Sequence, residues 1–148
     1  MADDHISLKA TSDGRVFAAV KTSYTGSSDP LVLLLVRNTA GQWSSYTFGR
    51  KSDHHTRPIV QLDQQNGRLY VFATSPESGG TIYYKTSSLS SISFPTGLGT
   101  AFIKSTTEAN INDATSTKQN TNSTTGLLVA AGNVTVRYYF HNSFGLKE

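Results

Sequence analysis

The chain of 148 residues contains no cysteine, which excludes a disulfide framework and any thiolate chemistry. It has four prolines, one methionine and one tryptophan. Charged residues make up only 16% of it, and with abundant Ser, Thr, Asn and Gly this points to an all-β, turn-rich chain. No window shows sustained helical periodicity. The longest apolar run, Leu31–Val36, falls far short of the ~20 residues of a membrane-spanning helix, so no membrane contact is expected. No basic stripe exists for phosphates to follow. The 13 basic residues are scattered, none clustered more densely than Arg50-Lys51, and the net charge is +3. No nucleic-acid partner is expected. A Gly-rich phosphate loop, a nucleophile elbow and a helical zinc motif are all missing, and no cofactor is expected. The N-terminus has no charged segment followed by an apolar one, so no signal peptide is expected here, and Met1-Ala2 reads as an initiator before an excised domain. The length fits one domain with a real core.

What is present is strands and turns. The clearest stretch is Arg57–Thr86. Gln65-Asn66-Gly67 and Pro76–Gly80 are turn signals, because Asn and Gly tolerate positive φ and Pro presets its own. They separate strands expected at Arg57–Asp63, Arg68–Thr74 and Thr81–Thr86. Before them, strands are expected at Ile6–Ala10, Arg15–Ser23, Leu31–Arg37 and Gln42–Phe48. After them, Leu89–Phe94 and Ala101–Lys104 compete for one further strand. Ala114–Asn120, Leu127–Ala131 and Val134–His141 complete the set.

These strands repeat. Arg15-Val-Phe-Ala-Ala-Val, Arg68-Leu-Tyr-Val-Phe-Ala and Gly126-Leu-Leu-Val-Ala-Ala occupy equivalent places. Four strands with a period on the order of 50 residues are the mark of a β-propeller blade. The units run from about 4–53, 54–110 and 111–148, the last incomplete. A β-sandwich has similar strand spacing but does not predict the repeat. The expected fold is therefore all-β: four-stranded antiparallel blades forming a partial propeller. Propellers typically need 4–8 blades to close, and an open arc leaves apolar faces bare. Closure by self-association, as a homodimer of arcs, is expected, the alternative being blades supplied elsewhere in a longer protein.

Several stretches carry a family resemblance: His54-His55-Thr56-Arg57-Pro58-Ile59, Phe72–Glu77, Ile82–Thr86 and above all Asn112–Asn120. Through them the chain resembles sialidase-like (BNR-type) propellers, and more closely a propeller module of secreted, multidomain bacterial proteins. The resemblance implies a propeller fold and a secreted or cell-surface location. The family's Asp-box turn is only approximated by Arg37–Trp43, where Asn38 stands near the Asp position. A sialidase also needs an arginine trio. Of the six arginines here, only Arg57 lies at the start of a first strand, while Glu77 lies in a turn expected to be exposed and Glu108 in a loop.

The first strands of a propeller line its channel, so polar clusters at their starts should converge at one mouth. These are Asp4-His5, Asp53-His54-His55 with Arg57, and Asn112-Asp113 with Lys118 further in. Carboxylates, histidines and an arginine around one space can bind sugars or carboxylates. They can also collect a cation, or split into acid and base for glycoside hydrolysis. The plainer alternative is that Asp and Asn cap turns while His packs against a neighbouring blade. His54 and His55 point to opposite faces of a strand, so they cannot readily share a metal, and none is expected. Arg37, Lys85 and Arg137, near the ends of third strands, are expected to be exposed edge charges. Tyr83, Tyr84, Tyr138, Tyr139 and Trp43 offer faces for sugar stacking, although alternation buries about half of each Tyr pair. The expected role is a non-catalytic module that recognises a glycan or another extracellular polymer at the channel mouth. A hydrolase or lyase acting through Asp4, Asp53 and Asp113, or a purely structural scaffold, are the alternatives.

Overall fold

The structure, a computed structural model, describes residues 2–133 and 137–142, with side chains except at 2–4 and 139–142. Three antiparallel sheets follow one another in sequence order. The first holds β1 (Ala2–Ala10), β2 (Val16–Thr22), β3 (Pro30–Arg37) and β4 (Trp43–Arg50). The second holds β5 (Thr56–Asp63), β6 (Arg68–Ser75), β7 (Thr81–Ser88) and β8 (Thr100–Ile103). The third holds β9 (Asn112–Ser116), β10 (Leu127–Gly132) and β11 (Arg137–Asn142). Each is an up-and-down meander, blade-like, and the three form a partial propeller. The contest for the fourth strand of the second blade goes to Thr100–Ile103, while Leu89 and the part-buried Ile92 and Phe94 pack onto the core from a loop. The first strand of the third blade begins at Asn112 and stops at Ser116, short of the polar run to Asn120. Part of the strand expected at Val134–His141 lies outside the described residues.

The turns form where local chemistry demands them. Gly14, Gly41 and Gly67, at φ of 91°, 87° and 64°, close the hairpins β1–β2, β3–β4 and β5–β6, in a left-handed conformation that costs other residues energy. Alternation then decides the faces. Phe17, Ala19, Val32, Leu34 and Val36 of the first blade meet Val60, Leu62, Leu69, Val71 and Ala73 of the second. Tyr70, Phe72, Ile82 and Phe102 of the second meet Ile111, Ala114, Leu127 and Val129 of the third. At both junctions a leading face packs on the trailing face of the blade before it, and only the middle blade is packed on both of its faces. The middle blade, covered on both faces, shows near-continuous burial along β6.

Polar contacts lock the blades in place. Glu77, far from free in its turn, bridges Lys21 at 3.0 Å and Lys51 at 2.7 Å on the first blade. The Gly80 and Thr121 amides donate to the Ile111 and Leu62 carbonyls, tying the second blade to the third.

Candidate functional site

The innermost strands β1, β5 and β9 lie side by side, and each is irregular near its start. β5 carries one extra residue between the pairs Thr56–Thr74 and Ile59–Phe72. β9 carries one extra residue between the pairs Asn112–Gly132 and Thr115–Ala130. In β1 the register shifts between Ala2 and Ile6. Such bulges turn side chains away from the regular pleat. In the second and third blades the bulge falls on equivalent residues, Arg57 and Asp113, and both are left-handed, with φ of 50° and 56°. Asp tolerates this conformation. Arg57 does not do so readily, and it also precedes Pro58, which favours an extended neighbour. A backbone held this way costs of order 1–3 kcal/mol and marks functional sites more often than plain scaffold.

The bulges bring His5, Arg57 and Asp113 to one open cleft of about 320 Å³, with Ile6, Pro58, Ile59 and Ala114 as its walls. Arg57 Nε lies 2.8 Å from Asp113 Oδ1, and the Asp113 side chain is 72% exposed. An ion pair this wet is worth about 0–1 kcal/mol, so a ligand's oxygens can exchange with it at little cost. The guanidinium has further N–H groups with which to hold a carboxylate or a pair of hydroxyls.

The other residues expected there stand apart. The side chain of Asp4 lies outside the described residues. Asp53 ends a short 3-10 turn, Lys51–Asp53, and its carboxylate accepts from the Arg50 amide at 2.8 Å. It lines a separate cavity of about 280 Å³ with Phe48, Gly49 and the 94–97 loop. His54 is exposed at the end of that turn, at φ 52°. Asn112 lines an adjoining hollow with Ser78 and Asn110. Lys118 is exposed two residues past β9, at the opposite end of that strand from Asp113. The first and third blades are tied together at that far end. Lys9 donates to the Thr117 and Lys118 carbonyls, and Asn120 donates to the Ala10 carbonyl at 2.8 Å and to Gln64 at 3.1 Å.

His55 and Lys85 occupy the seam between the first two blades. His55 is fully buried against Phe48 and Tyr83. Its Nε2 lies 3.1 Å from the Leu98 carbonyl, which can only accept, so Nε2 carries the proton and Nδ1 is bare. Nδ1 abuts Gly49, where a Cβ would come within 2.2 Å of it. Burial pulls the imidazole down to about 4, and the Lys85 charge adds to the effect, against the opposing Leu98 bond and Asp53. Lys85, expected to be an exposed edge charge, is buried. It donates to the Phe48 carbonyl and lies 4.8 Å from the Phe48 ring centroid. Burial holds its ammonium below the usual lysine range, with Asp53 opposing. Its burial follows from the leading face, which Lys85 shares with Leu69, Val71 and Ala73 and which the first blade covers. Arg37 is half-buried and Arg137 exposed.

The sequence signal for the cleft was the polar pair at the start of each first strand. The bulges that single out Arg57 and Asp113 had no signal beyond Pro58. Among the described residues, no group of three or more His, Asp or Glu is placed to hold a metal ion. No protein-family model, curated protein or solved structure matches the chain.

Proposed function

We propose that this chain is a non-catalytic recognition module that binds a glycan or another extracellular polymer at the cleft of His5, Arg57 and Asp113. One observation carries the reading. Equivalent residues of two blades are held in a strained backbone at the same cleft, and their side chains meet in an ion pair whose Asp113 side is exposed to solvent. A scaffold gains nothing from a left-handed arginine before proline, whereas a binding site gains a fixed guanidinium. A sialidase-like relationship belongs to the same proposal, supported by three blade-like sheets in sequence order. The hydrolase reading is less favoured, because Asp113 is the one described carboxylate lining the cleft and Asp53 lines another cavity. Glycoside hydrolysis needs two carboxyls flanking one bond.

A glycan array of neutral and acidic oligosaccharides, followed by calorimetry on whatever is retained, tests this. Retention is expected, with a loss of tenfold or more in Arg57→Ala. An empty array, or equal binding by Arg57→Ala, overturns the proposal.

A further inference from the structure

The repeat gives each residue of one blade a counterpart in the next, and comparing counterparts shows where neighbours are missing. On the leading faces, Leu8 pairs with Ala18 in the first blade as Val60 pairs with Val71 in the second. Val60 is fully buried against the first blade, while Leu8 is 58% exposed. Ile6, next to it on the same face, is 60% exposed, and Trp43 at the outer edge is 56% exposed. The ladder registers place Val16, Ala18, Val20, Leu33 and Leu35 on that same face, Ala18 and Val20 buried and the other three half-buried, with Arg37, Ser45 and Thr47 towards its outer edge. Its inner part is therefore apolar, as is the leading face that the second blade packs on the first.

The trailing faces show the same pattern at the other end. Phe17, Tyr70 and Leu128 occupy equivalent positions, second in the repeated strands Val16-Phe17-Ala18, Leu69-Tyr70-Val71 and Leu127-Leu128-Val129. Phe17 and Tyr70 are 0% and 3% exposed beneath the following blade, and Leu128 is 41% exposed. Beside Leu128 lies a cavity of about 460 Å³, walled by Gln61, Ser116, Thr117 and Asn120.

We infer that a second copy of this chain docks head to tail, the leading face of its first blade on the trailing face of the third. The occupant follows from the two junctions already built: in both, a leading face packs on a trailing face. Among the described residues each copy leaves one of each kind open, and they are different surfaces. A patch that met its own copy around a two-fold axis would instead place two leading faces together, a contact the fold makes nowhere among the described residues. Two copies joined at both ends give six blades, within the usual range for a closed propeller. The contact stands independently of the ligand reading of the cleft.

Light scattering and sedimentation on the full chain, with two surface substitutions, test it. Wild type should have a mass near twice 16.0 kDa. Leu8→Glu and Leu128→Arg should each run near 16.0 kDa. Both positions are exposed within the single chain, so the circular dichroism spectrum should not change. An equimolar mixture of the two variants keeps one intact junction and should recover the dimer mass. A wild type that stays monomeric to millimolar concentration overturns the inference. So does a Leu128→Arg variant that dimerises as well as wild type, or a mixture that stays monomeric.

Discussion

Acid should weaken this fold through one residue, His55. In the unfolded chain its imidazole takes up a proton near pH 6.5. In the folded chain it does so only near pH 4. The bare Nδ1 faces Gly49, without an acceptor for a new N–H, and Lys85 already places a positive charge nearby. Between those two values the unfolded state binds a proton that the folded state refuses. Stability is therefore full above about pH 6.5 and falls as the pH drops towards 4. Each pH step of one across this window removes about 1.4 kcal/mol, so the loss is about 2 kcal/mol at pH 5 and about 3 kcal/mol at pH 4. Urea unfolding at pH 7 and pH 5 measures the difference directly. His55→Phe keeps a ring between Phe48 and Tyr83 and removes the titration. Its absolute stability will differ, but its pH 7 to pH 5 slope should be flatter than that of wild type by about 2 kcal/mol. The other three histidines and the carboxylates are common to both proteins, so the difference between the slopes isolates His55. Equal slopes in the two proteins would refute the reasoning, as would an imidazole resonance for His55 that titrates with a midpoint near 6.5.

Two further outcomes follow from the same seam and from the cleft. Gly49→Ala places a methyl group 2.2 Å from His55 Nδ1, and a buried ring cannot swing aside as a flexible chain end can. A loss of about 2 kcal/mol or more is expected in chemical denaturation, with His55→Ala in the same background restoring part of it. Arg57→Gly relieves the left-handed backbone at φ 50° and removes the guanidinium. Thermal unfolding should show stability unchanged or raised by up to about 1 kcal/mol, while glycan retention is lost.

The sequence was legible wherever the cause is local. The Asn66-Gly67 turn, the Pro76–Gly80 turn and the apolar runs at Val16, Leu69 and Leu127 each mark their own boundary, because φ preference and side-chain alternation act within a few residues. The repeat was legible for the same reason, since each blade restates the same local pattern. The fourth strand of the second blade was not, because Leu89–Phe94 is as apolar as a strand but packs as a loop.

The candidate site was half legible. His5, Arg57 and Asp113 were visible as polar residues at the starts of inner strands, but so were Asp53 and His54, which line or face elsewhere. One extra residue in a ladder separates the two groups, and a bulge is a property of the pairing between two strands, not of either strand alone. Lys85 shows the same division. Alone, it is a lysine near the end of a polar strand, and the bland expectation is exposure. In the folded chain it is buried over Phe48, because its strand face meets a neighbouring blade 37 residues earlier in the chain. By itself the sequence determined strands, turns and their recurrence, since those depend on neighbours a few residues away. Only the tertiary structure decided which residues share a cleft, which charges are buried and which blade faces stand open, since those depend on register and on what packs across each face.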